Sequence, residues 1–380
     1  METKVIITGD FCPINRNEKF IQDNLFDSVF GEFLPYTKSA DLAITNLECA
    51  LTETNNPIEK TGPCIKAPLK SIEALKFGGI NLVTLANNHI MDYGSEGLKS
   101  TLKVCKKSEI ATVGAGENLI QARKPFITTI NSLKIGVLNF AENEFCTTSG
   151  EEHGANPLNP VANYYDIKAI KKQVDYLFVI VHGGREHYQL PTPRVRENLR
   201  FFADAGADAV VSHHTHCYSG YEFHNKKPIF YGLGNFVFDY KKKYQKGTWT
   251  EGYGVQFNLN NGTLEFEIIP YYQGRKNKST LVLMKNKELN SFNIKLEELN
   301  KIISNDTLFN QAWNDYLITQ KDSYKALLFI QNTYLRKLMA LNILPKFYFH
   351  SKSHKTMLLN LFKCETHREI MTATLNKKIK

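Results

Sequence analysis

The residues of this chain that most clearly suggest chemistry are three histidines at the end of an apolar run. Ser212-His213-His214-Thr215-His216 follows directly on Ala209-Val210-Val211. Imidazole is the commonest protein ligand of transition metals, and His214 and His216, two residues apart at a strand end, can direct their nitrogens toward one point. His213 should face away from both, in packing or in support of the ligands. This spacing predicts a metal site, and a His-rich surface turn is the alternative.

Four other apolar runs end in polar residues. Between the runs lie helical patterns over 71–77, 95–107 and 193–204. Alternating strands and helices predict an α/β sheet, and ligands of such sheets bind beyond the carboxyl ends of the strands. The five polar ends are therefore expected at one sheet edge. The four further ends are Val5–Thr8 before Gly9-Asp10, Leu42–Thr45 before Asn46-Leu47-Glu48, Leu82–Ala86 before Asn87-Asn88-His89, and Tyr176–Val181 before His182-Gly183-Gly184-Arg185-Glu186.

These ends contain two carboxylates, one amide oxygen and three imidazoles that suit metal ions. Six mixed oxygen and nitrogen ligands exceed a single tetrahedral zinc site and suit two divalent ions, Mn, Fe or Zn, that share a carboxylate. Such a metal pair clamps a phosphoryl group and acidifies a bridging water. His89 should contact the substrate, as general acid to a leaving oxygen or as partner of a nonbridging oxygen. The predicted ligands are Asp10, Glu48, Asn88, His182, His214 and His216.

The distribution of charge limits the partners. The net charge is +9, but residues 275–380 hold 19 Lys and Arg against 8 Asp and Glu, and the preceding residues hold 28 against 30. A nucleic-acid enzyme would carry its basic residues around its site, so no nucleic acid is expected. The expected substrate is an anionic small molecule or polymer. The basic C-terminal part favours a helical cap over the core, with a membrane surface or an acidic partner as the alternative.

Composition also predicts compartment and domains. The seven cysteines show no CxxC spacing, and neither an export signal nor a membrane-spanning run is visible, so the chain is expected to be cytoplasmic. Beyond about residue 272 the sequence becomes rich in Lys, Asn and Glu, with helical patterns such as Asp322–Met339. We therefore expect a catalytic domain over 1–272 and a basic, mainly helical extension over 273–380.

In order along about residues 1–270, the motifs resemble those of the capsule synthesis protein CapA family. That family is associated with poly-γ-glutamate and is a branch of the calcineurin-like metallophosphoesterase superfamily. The resemblance implies a four-layer α/β/β/α core with a dinuclear metal site at the strand ends. The motifs are Gly9-Asp10, Asn46-Leu47-Glu48, Ala86-Asn87-Asn88-His89 with Asp92-Tyr93-Gly94, His182-Gly183-Gly184-Arg185-Glu186, His213-His214-Thr215-His216 and Leu233-Gly234-Asn235-Phe236.

The resemblance also implies roles for single residues. Asp10 and His216 would hold the first metal, Glu48 would bridge, and Asn88, His182 and His214 would hold the second. Two departures leave open whether both metals bind: Cys12 stands where the superfamily usually has histidine, and Asn46-Leu47-Glu48 replaces the usual Gly-Asp-x-x-Asp. Residues expected to bind substrate or to support the ligands are Asn46, Asn87, Arg185, Glu186, His213 and Asn235.

Two classes of function follow. One is a metal-dependent hydrolase of a phosphoester, or of an amide or acyl bond in a glutamate polymer, linked to capsule, poly-γ-glutamate or surface-polysaccharide synthesis. The other is a noncatalytic metal-binding accessory protein of polymer synthesis. His89 beside Asn88 favours the enzyme, because a binding-only site would not need it. Membrane-anchored members of the family carry an N-terminal hydrophobic segment that is not seen here, which disfavours a role in an extracellular capsule machine.

Overall fold

The structure is a computed structural model that describes residues 2–260, 262–329, 332–341, 343, 358 and 362. It divides into two compact units, Met1–Phe309 and Asn310–Lys380. The domain boundary at residue 272, which we expected from composition, stays a prediction. None of the helices in these described ranges has the length and apolarity that a membrane span requires.

Most of the described elements belong to the first unit. The strands are β1 (Thr3–Phe11), β2 (Leu42–Leu47), β3 (Ala50–Leu51), β4 (Lys66–Ala67), β5 (Leu82–Thr84), β6 (Ala111–Val113), β7 (Ala115–Gly116), β8 (Phe126–Ile130), β9 (Leu133–Ala141), β10 (Gly154–Ala155), β11 (Tyr176–His182), β12 (Ala209–His213), β13 (Tyr221–His224), β14 (Lys227–Phe230), β15 (Asn235–Val237), β16 (Glu251–Asn260), β17 (Thr263–Tyr272) and β18 (Val282–Leu283). The helices are α1 (Arg16–Gln22), α2 (Phe26–Phe30), α3 (Leu34–Ser39), α4 (Ser71–Phe77), α5 (Gly94–Lys107), α6 (Leu119–Ala122), α7 (Pro160–Lys171), α8 (Pro193–Ala205), α9 (Asn286–Ser304), α10 (Asp306–Phe329) and α11 (Thr333–Ala340).

Two large sheets form the centre of the first unit. The first has the order β18-β17-β16-β1-β2-β5-β6, with β15 also paired to β1, and the second has the order β13-β14-β12-β11-β9-β8. Within the first sheet β1, β2, β5 and β6 are parallel, and within the second β9, β11, β12 and β14 are parallel. Parallel neighbours place their carboxyl ends together, so each sheet presents several strand ends on one side.

The alternation of side chains along the strands builds two apolar layers. In β1, Ile6 packs into a core shared with the helices of residues 16–107, whereas Val5 and Ile7 pack into a core shared with the second sheet. The far face of the second sheet is covered by α7 and α8, as in the contact of Phe140 with Phe202 at 5.7 Å between ring centroids. The four-layer α/β/β/α arrangement implied by the family resemblance is therefore confirmed.

The helices expected from the sequence are present with small shifts. Helix α4 has the predicted bounds, α5 begins one residue earlier and α8 ends one residue later than predicted. Helix α8 begins with Pro193 in its first turn, and the side chain of Thr192 accepts a hydrogen bond from the Val195 N–H. A proline in the first turn and a capping threonine are typical signals of a helix start.

Helical structure in the C-terminal region is confirmed, and the helical pattern over 322–339 falls on two helices. Helix α10 ends at Phe329 and α11 begins at Thr333. The side chain of Asn332 accepts hydrogen bonds from the N–H groups of Tyr334 and Leu335, so this residue caps a new helix and does not continue the old one. The predicted basic amphipathic end over 344–380 lies, apart from positions 358 and 362, outside the described residues.

Candidate metal centre

The five polar strand ends come together from two sheets, which corrects the expectation of a single sheet edge. Strands β1, β2 and β5 belong to the first sheet, and β11 and β12 to the second. A contact across the two sheets is the hydrogen bond from the His214 N–H to Asp10 Oδ2 at 3.4 Å. Each sheet buries one face against the other, so their strand ends meet above the shared core.

One group of ligand atoms converges around His182. Its Nε2 lies 3.0 Å from Asn88 Oδ1, 3.1 Å from His214 Nδ1 and 3.4 Å from Glu48 Oε1. All four side chains belong to buried residues. On the opposite side of the ring, Asn46 donates a hydrogen bond from Nδ2 to His182 Nδ1 at 3.2 Å. This contact fixes the orientation of the ring with Nε2 toward the group, and because an amide N–H only donates, the neutral ring carries its hydrogen on Nε2.

A second group shares Glu48 with the first. Asp10, Glu48 and His216 place one ligand atom each within 4.8 Å of one another. Asp10 Oδ2 lies 3.7 Å from His216 Nδ1, and His216 Nε2 lies 3.7 Å from Glu48 Oε1. Cys12 is buried but belongs to neither group. The arrangement therefore places Glu48 between two sets of donors.

Asn235 determines which nitrogen of His216 faces Glu48. Its Oδ1 lies 2.9 Å from His216 Nδ1, and its Nδ2 donates to the carbonyls of His216 and Trp249. Those two donations fix the amide with its oxygen toward the ring. Since an amide oxygen only accepts, Nδ1 carries the hydrogen and Nε2 is left with a free lone pair.

Burial governs the charges of the centre. Burial raises the pKa of Asp10 to about 7, against hydrogen bonds from Asn46 and the His214 N–H that lower it. Burial, and then the Asp10 carboxylate, raise the pKa of Glu48 well above its ordinary range. Burial also lowers the pKa of His214 to about 3 and that of His182 well below its ordinary value. The histidines are therefore neutral, so no positive charge on them opposes a bound cation.

The backbone at the histidine cluster adopts an uncommon conformation. His214 has φ of 90° and His216 has φ of 53°, the left-handed region that residues other than glycine rarely occupy. Such conformations cost about 1–3 kcal/mol each and concentrate at functional sites. Here they turn both imidazoles of a short segment toward the same carboxylate.

Two asparagines connect the strand ends beneath the ligands. Asn46 donates to Asp10 Oδ1 at 2.7 Å, and its own Oδ1 accepts from Asn87 Nδ2. Asn87 also donates to the Leu47 carbonyl and accepts from the His89 N–H. Both residues therefore hold neighbouring loops in register, which is a supporting position and not a ligand position.

His89 lies beside the centre and is paired with an acid that carried no predicted role. Its Nδ1 lies 2.6 Å from Asp92 Oδ2. The other oxygen of Asp92 is 2.5 Å from Lys60 Nζ, and Lys60 also donates to the Asn88 carbonyl. The spacing of His89 and Asp92 in a turn is a local signal that could have revealed the pair. Lys60 comes from a distant loop and has no such signal.

The cavity that adjoins the centre has a volume of about 500 Å³ and is lined by Asn88, His89 and Lys60, among others. Glu186 also lines it, and its negative charge contributes to the raised pKa of Glu48. Arg185 is partly buried, and its positive charge contributes to the lowered pKa of His214.

His213 is buried close to the ligand carboxylates. Its Nδ1 lies 3.6 Å from Asp10 Oδ1, and neither ring nitrogen has a hydrogen-bond partner in the described part of the chain. Burial lowers the pKa of His213 to about 3. A neutral ring at this distance can support Asp10 but belongs to neither ligand group.

The donor set fits divalent cations. Both carboxylate oxygens of Glu48 are buried without a hydrogen-bond partner among the described residues. A buried carboxylate in that state is costly unless a cation or a proton compensates it. With three nitrogen and oxygen donors on one side of Glu48 and two on the other, the centre can accept metal ions.

Comparisons with known proteins agree with this architecture. Residues 4–240 match the family described as bacterial capsule synthesis protein PGA_cap. The chain is 32% identical over 294 residues to the capsule biosynthesis protein CapA of Bacillus anthracis, covering 74% of this chain and 70% of that protein. It is 33% identical over 268 residues to the PGA biosynthesis protein CapA of Bacillus subtilis, covering 69% of each chain.

More distant similarities extend the comparison. A probable polyglutamine synthesis accessory protein of Mycobacterium tuberculosis is 27% identical, covering 56% of this chain and 60% of that protein. A solved 5'-nucleotidase from Candida albicans is 13% identical with a TM-score of 0.43, covering 73% of this chain and 52% of that one. The family match and the two CapA relatives show that this chain belongs to the bacterial capsule synthesis protein PGA_cap family.

Proposed function

We propose that the chain is a metal-dependent hydrolase of the phosphoesterase type, linked to the synthesis of a capsule, poly-γ-glutamate or a surface polysaccharide. The observation that carries this proposal is the position of Glu48. Its two oxygens, which have no hydrogen-bond partner among the described residues, lie between an Asn88, His182 and His214 group and an Asp10 and His216 group. The link to polymer synthesis rests on the names of the relatives.

Under this proposal two divalent ions, Mn, Fe or Zn, are held by the two groups with Glu48 shared. Mixed carboxylate, amide and imidazole donors suit these metals. When bound, the ions supply positive charge for phosphoryl oxygens and acidify a water molecule. The chain's own contribution to metal binding is to keep the imidazoles neutral through burial and to orient them through Asn46 and Asn235.

His89 is the residue proposed to move a proton. Its Nδ1–H donates to Asp92 Oδ2, so Nε2 is the nitrogen that can serve the substrate in the adjoining cavity. When a hydroxide oxygen bonds to phosphorus and the ester bond to the leaving oxygen breaks, protonated Nε2 gives its proton to the leaving oxygen, and Asp92 stabilises the imidazolium before this transfer. Lys60 compensates the charge of Asp92 from the other side.

The metal part is tested by elemental analysis of the protein, purified without chelator and again after reloading with Mn, Fe or Zn. We expect His214→Ala and His216→Ala to lose metal. His224→Ala is the matched control, because His224 pairs with Asp204 on the surface. A wild-type protein without transition metal under both conditions, or full metal content in both centre variants, would contradict the site.

The catalytic part is tested with a panel of phosphoesters and γ-glutamyl peptides. On alkyl phosphoesters His89→Ala should lower the turnover rate by about 10²–10⁴ while metal content and fold stay unchanged. On nitrophenyl phosphoesters the loss should be smaller, because nitrophenolate leaves with little need of a proton. Equal losses on both esters would defeat the role of His89 as acid. A metallated wild type that turns over no substrate of the panel would favour a noncatalytic accessory protein.

A further inference from the structure

A second cavity, of about 490 Å³, shares no lining residue with the cavity at the metal centre. Of the described residues that line it, four are basic and one, Glu251, is acidic. The basic residues are Lys246, Arg275, Lys276 and Lys278. Neither the proposed hydrolysis nor the metal centre uses any of them.

A largely buried ion pair holds the two basic segments of this cavity together. The guanidinium of Arg16 binds both carboxylate oxygens of Asp239, at 2.6 and 2.8 Å, and the carboxylate is fully buried. The same guanidinium donates to the carbonyls of Gly274, Arg275 and Lys276. The turn over 274–278 is therefore fixed to the segment that carries Asp239.

A second set of contacts joins the same two segments. Gln245 donates from Nε2 to Asp239 Oδ1 at 3.0 Å, and the Lys276 N–H donates to the Gln245 carbonyl at 3.2 Å. The nearby carboxylate of Asp239 is thus occupied by Arg16 and Gln245. The backbone that carries the four basic side chains is held in place before any ligand binds.

The basic side chains have few acidic neighbours within the described ranges: Glu251 lines the same cavity, and the charge of Lys278 contributes to the lowered pKa of Glu32. Within the described ranges of the chain, no carboxylate oxygen lies within 4.0 Å of the ammonium groups of Lys246, Lys276 or Lys278. Arg275 lies 3.7 Å from Glu288 and packs over the Tyr272 ring at 4.1 Å. Burial raises the pKa of Glu251. Several like charges around one cavity repel each other, and a multiply charged anion relieves that repulsion.

We propose that this second cavity binds a multiply charged oxyanion, such as a chain of linked phosphates or a tricarboxylate. Ammonium groups supply several rotatable donors, and the guanidinium of Arg275 supplies a planar pair, which together suit oxygens that carry more than one charge. The volume accommodates a ligand larger than a single phosphate. This site is independent of the metal ions and does not rest on the proposed hydrolase activity.

The test is a calorimetric titration of the full chain with tripolyphosphate at low salt. The protein is first dialysed against EDTA, so that no metal ion can hold the probe. We expect binding at one site and a loss of about 10–100-fold in affinity in the double variant Lys276→Ala, Lys278→Ala, because two charged hydrogen-bond donors are removed. A second variant, Lys246→Ala, removes a donor from the other segment and should also weaken binding.

The matched control is the double variant Lys99→Ala, Lys103→Ala. These two lysines line a cavity of similar volume, about 460 Å³, on α5 together with Glu96, so the same total charge is lost elsewhere. We expect its affinity for tripolyphosphate to stay within about twofold of wild type, since neither lysine lines the proposed site. An equal loss in the control, unchanged affinity in both cavity variants, or no binding to wild type would overturn the proposal.

Two further probes identify the ligand class. Orthophosphate should bind at least about tenfold more weakly than tripolyphosphate, and equal affinity would overturn the requirement for several charges. Citrate at the affinity of tripolyphosphate would extend the site to carboxylates, whereas weak citrate binding would assign it to linked phosphates. Fluorescence in a Trp313→Phe background gives an independent readout, because Trp249 packs against Tyr244 at 4.6 Å beside this cavity.

Discussion

At the scale of single residues, the orientation of His216 depends on one amide. Asn235 Oδ1 accepts the hydrogen of His216 Nδ1 at 2.9 Å and thereby presents Nε2 to Glu48. Asn235 is fully buried, so no water replaces this partner. Asn235 thus determines which nitrogen of His216 faces Glu48.

We predict that Asn235→Ala weakens metal binding by about 10–100-fold, the usual effect of losing the partner that orients a ligand histidine. Calorimetric titration with Mn or Zn measures the change at a temperature where the variant is folded. Asn225→Ala, on an exposed turn, is the control and should bind as wild type does. Unchanged affinity in Asn235→Ala would show that the tautomer of His216 does not depend on this contact.

A second residue-scale effect concerns the stability of metal-free protein. Asp10 has a pKa of about 7 in the folded chain against 3.8 ordinarily. Between about pH 4 and pH 7 the unfolded chain therefore loses this proton while the folded chain retains it, and folding becomes less favourable as the pH rises. Above about pH 7 both states are charged and the full penalty remains.

We predict that Asp10→Asn stabilises the metal-free protein, by little at pH 4 and by about 2–4 kcal/mol in the free energy of unfolding at pH 8. The difference between the two proteins includes Glu48, because the Asp10 carboxylate also raises the pKa of that neighbour. Urea unfolding in EDTA at several pH values measures it, with the exposed Asp27→Asn as control. With saturating metal the order should reverse, because the variant loses a ligand. A pH-independent difference would contradict the raised pKa.

At the scale of elements, β1 and β15 approach closely where the chain reaches Asp10. A methyl group on Gly9 would lie 1.9 Å from the Gly234 carbonyl oxygen, and the Asp10 N–H donates to that same oxygen. Gly234 itself has φ of 77°, which glycine adopts without strain. The two glycines therefore permit β15 to bring Asn235 beside Asp10.

We predict that Gly9→Ala destabilises the fold by about 3 kcal/mol or more, because the obstructing atom is backbone and cannot rotate away. Thermal and urea unfolding measure the loss. Gly150→Ala is the matched control, since its methyl group would meet only the flexible end of Glu152, at 3.5 Å. Equal stability of the two variants would show that β15 can shift without cost.

At the scale of the whole molecule, helix α9 belongs to the first compact unit. Phe292 packs against Tyr218 at 4.8 Å between ring centroids, and Leu296 and Ile303 are also buried. The aromatic contact joins α9 to the apolar layer between the two sheets. Residues beyond 272 therefore contribute to the core that positions the metal centre.

We predict that a chain ended after Phe309 keeps its melting temperature within about 5 °C, whereas a chain ended after Tyr272 loses cooperative unfolding. The reason is that each large side chain removed from a core costs about 2–5 kcal/mol, and the shorter chain lacks several. Calorimetry of both proteins measures the difference. A shorter chain that melts cooperatively at the same temperature would support the boundary at residue 272.

The sequence by itself determined the family, the α/β alternation and the candidate ligands. These features are local: short continuous apolar runs, helix start signals such as Thr192-Pro193, and polar residues directly after each run. Strand ends can be read from such patterns because side-chain periodicity and backbone preferences act over a few residues.

Only the tertiary structure decided how the strand ends are shared between two sheets. It also decided which nitrogen of His216 faces Glu48, and it brought Lys60 and Asp92 together in support of His89. Asp10 and His214 are 204 positions apart, and their contact depends on the packing of two sheets and not on either segment. The basic cavity likewise joins segments around 246 and 276 through Arg16. Long-range contacts of this kind arise from burial of shared apolar faces, and no local pattern specifies their partners.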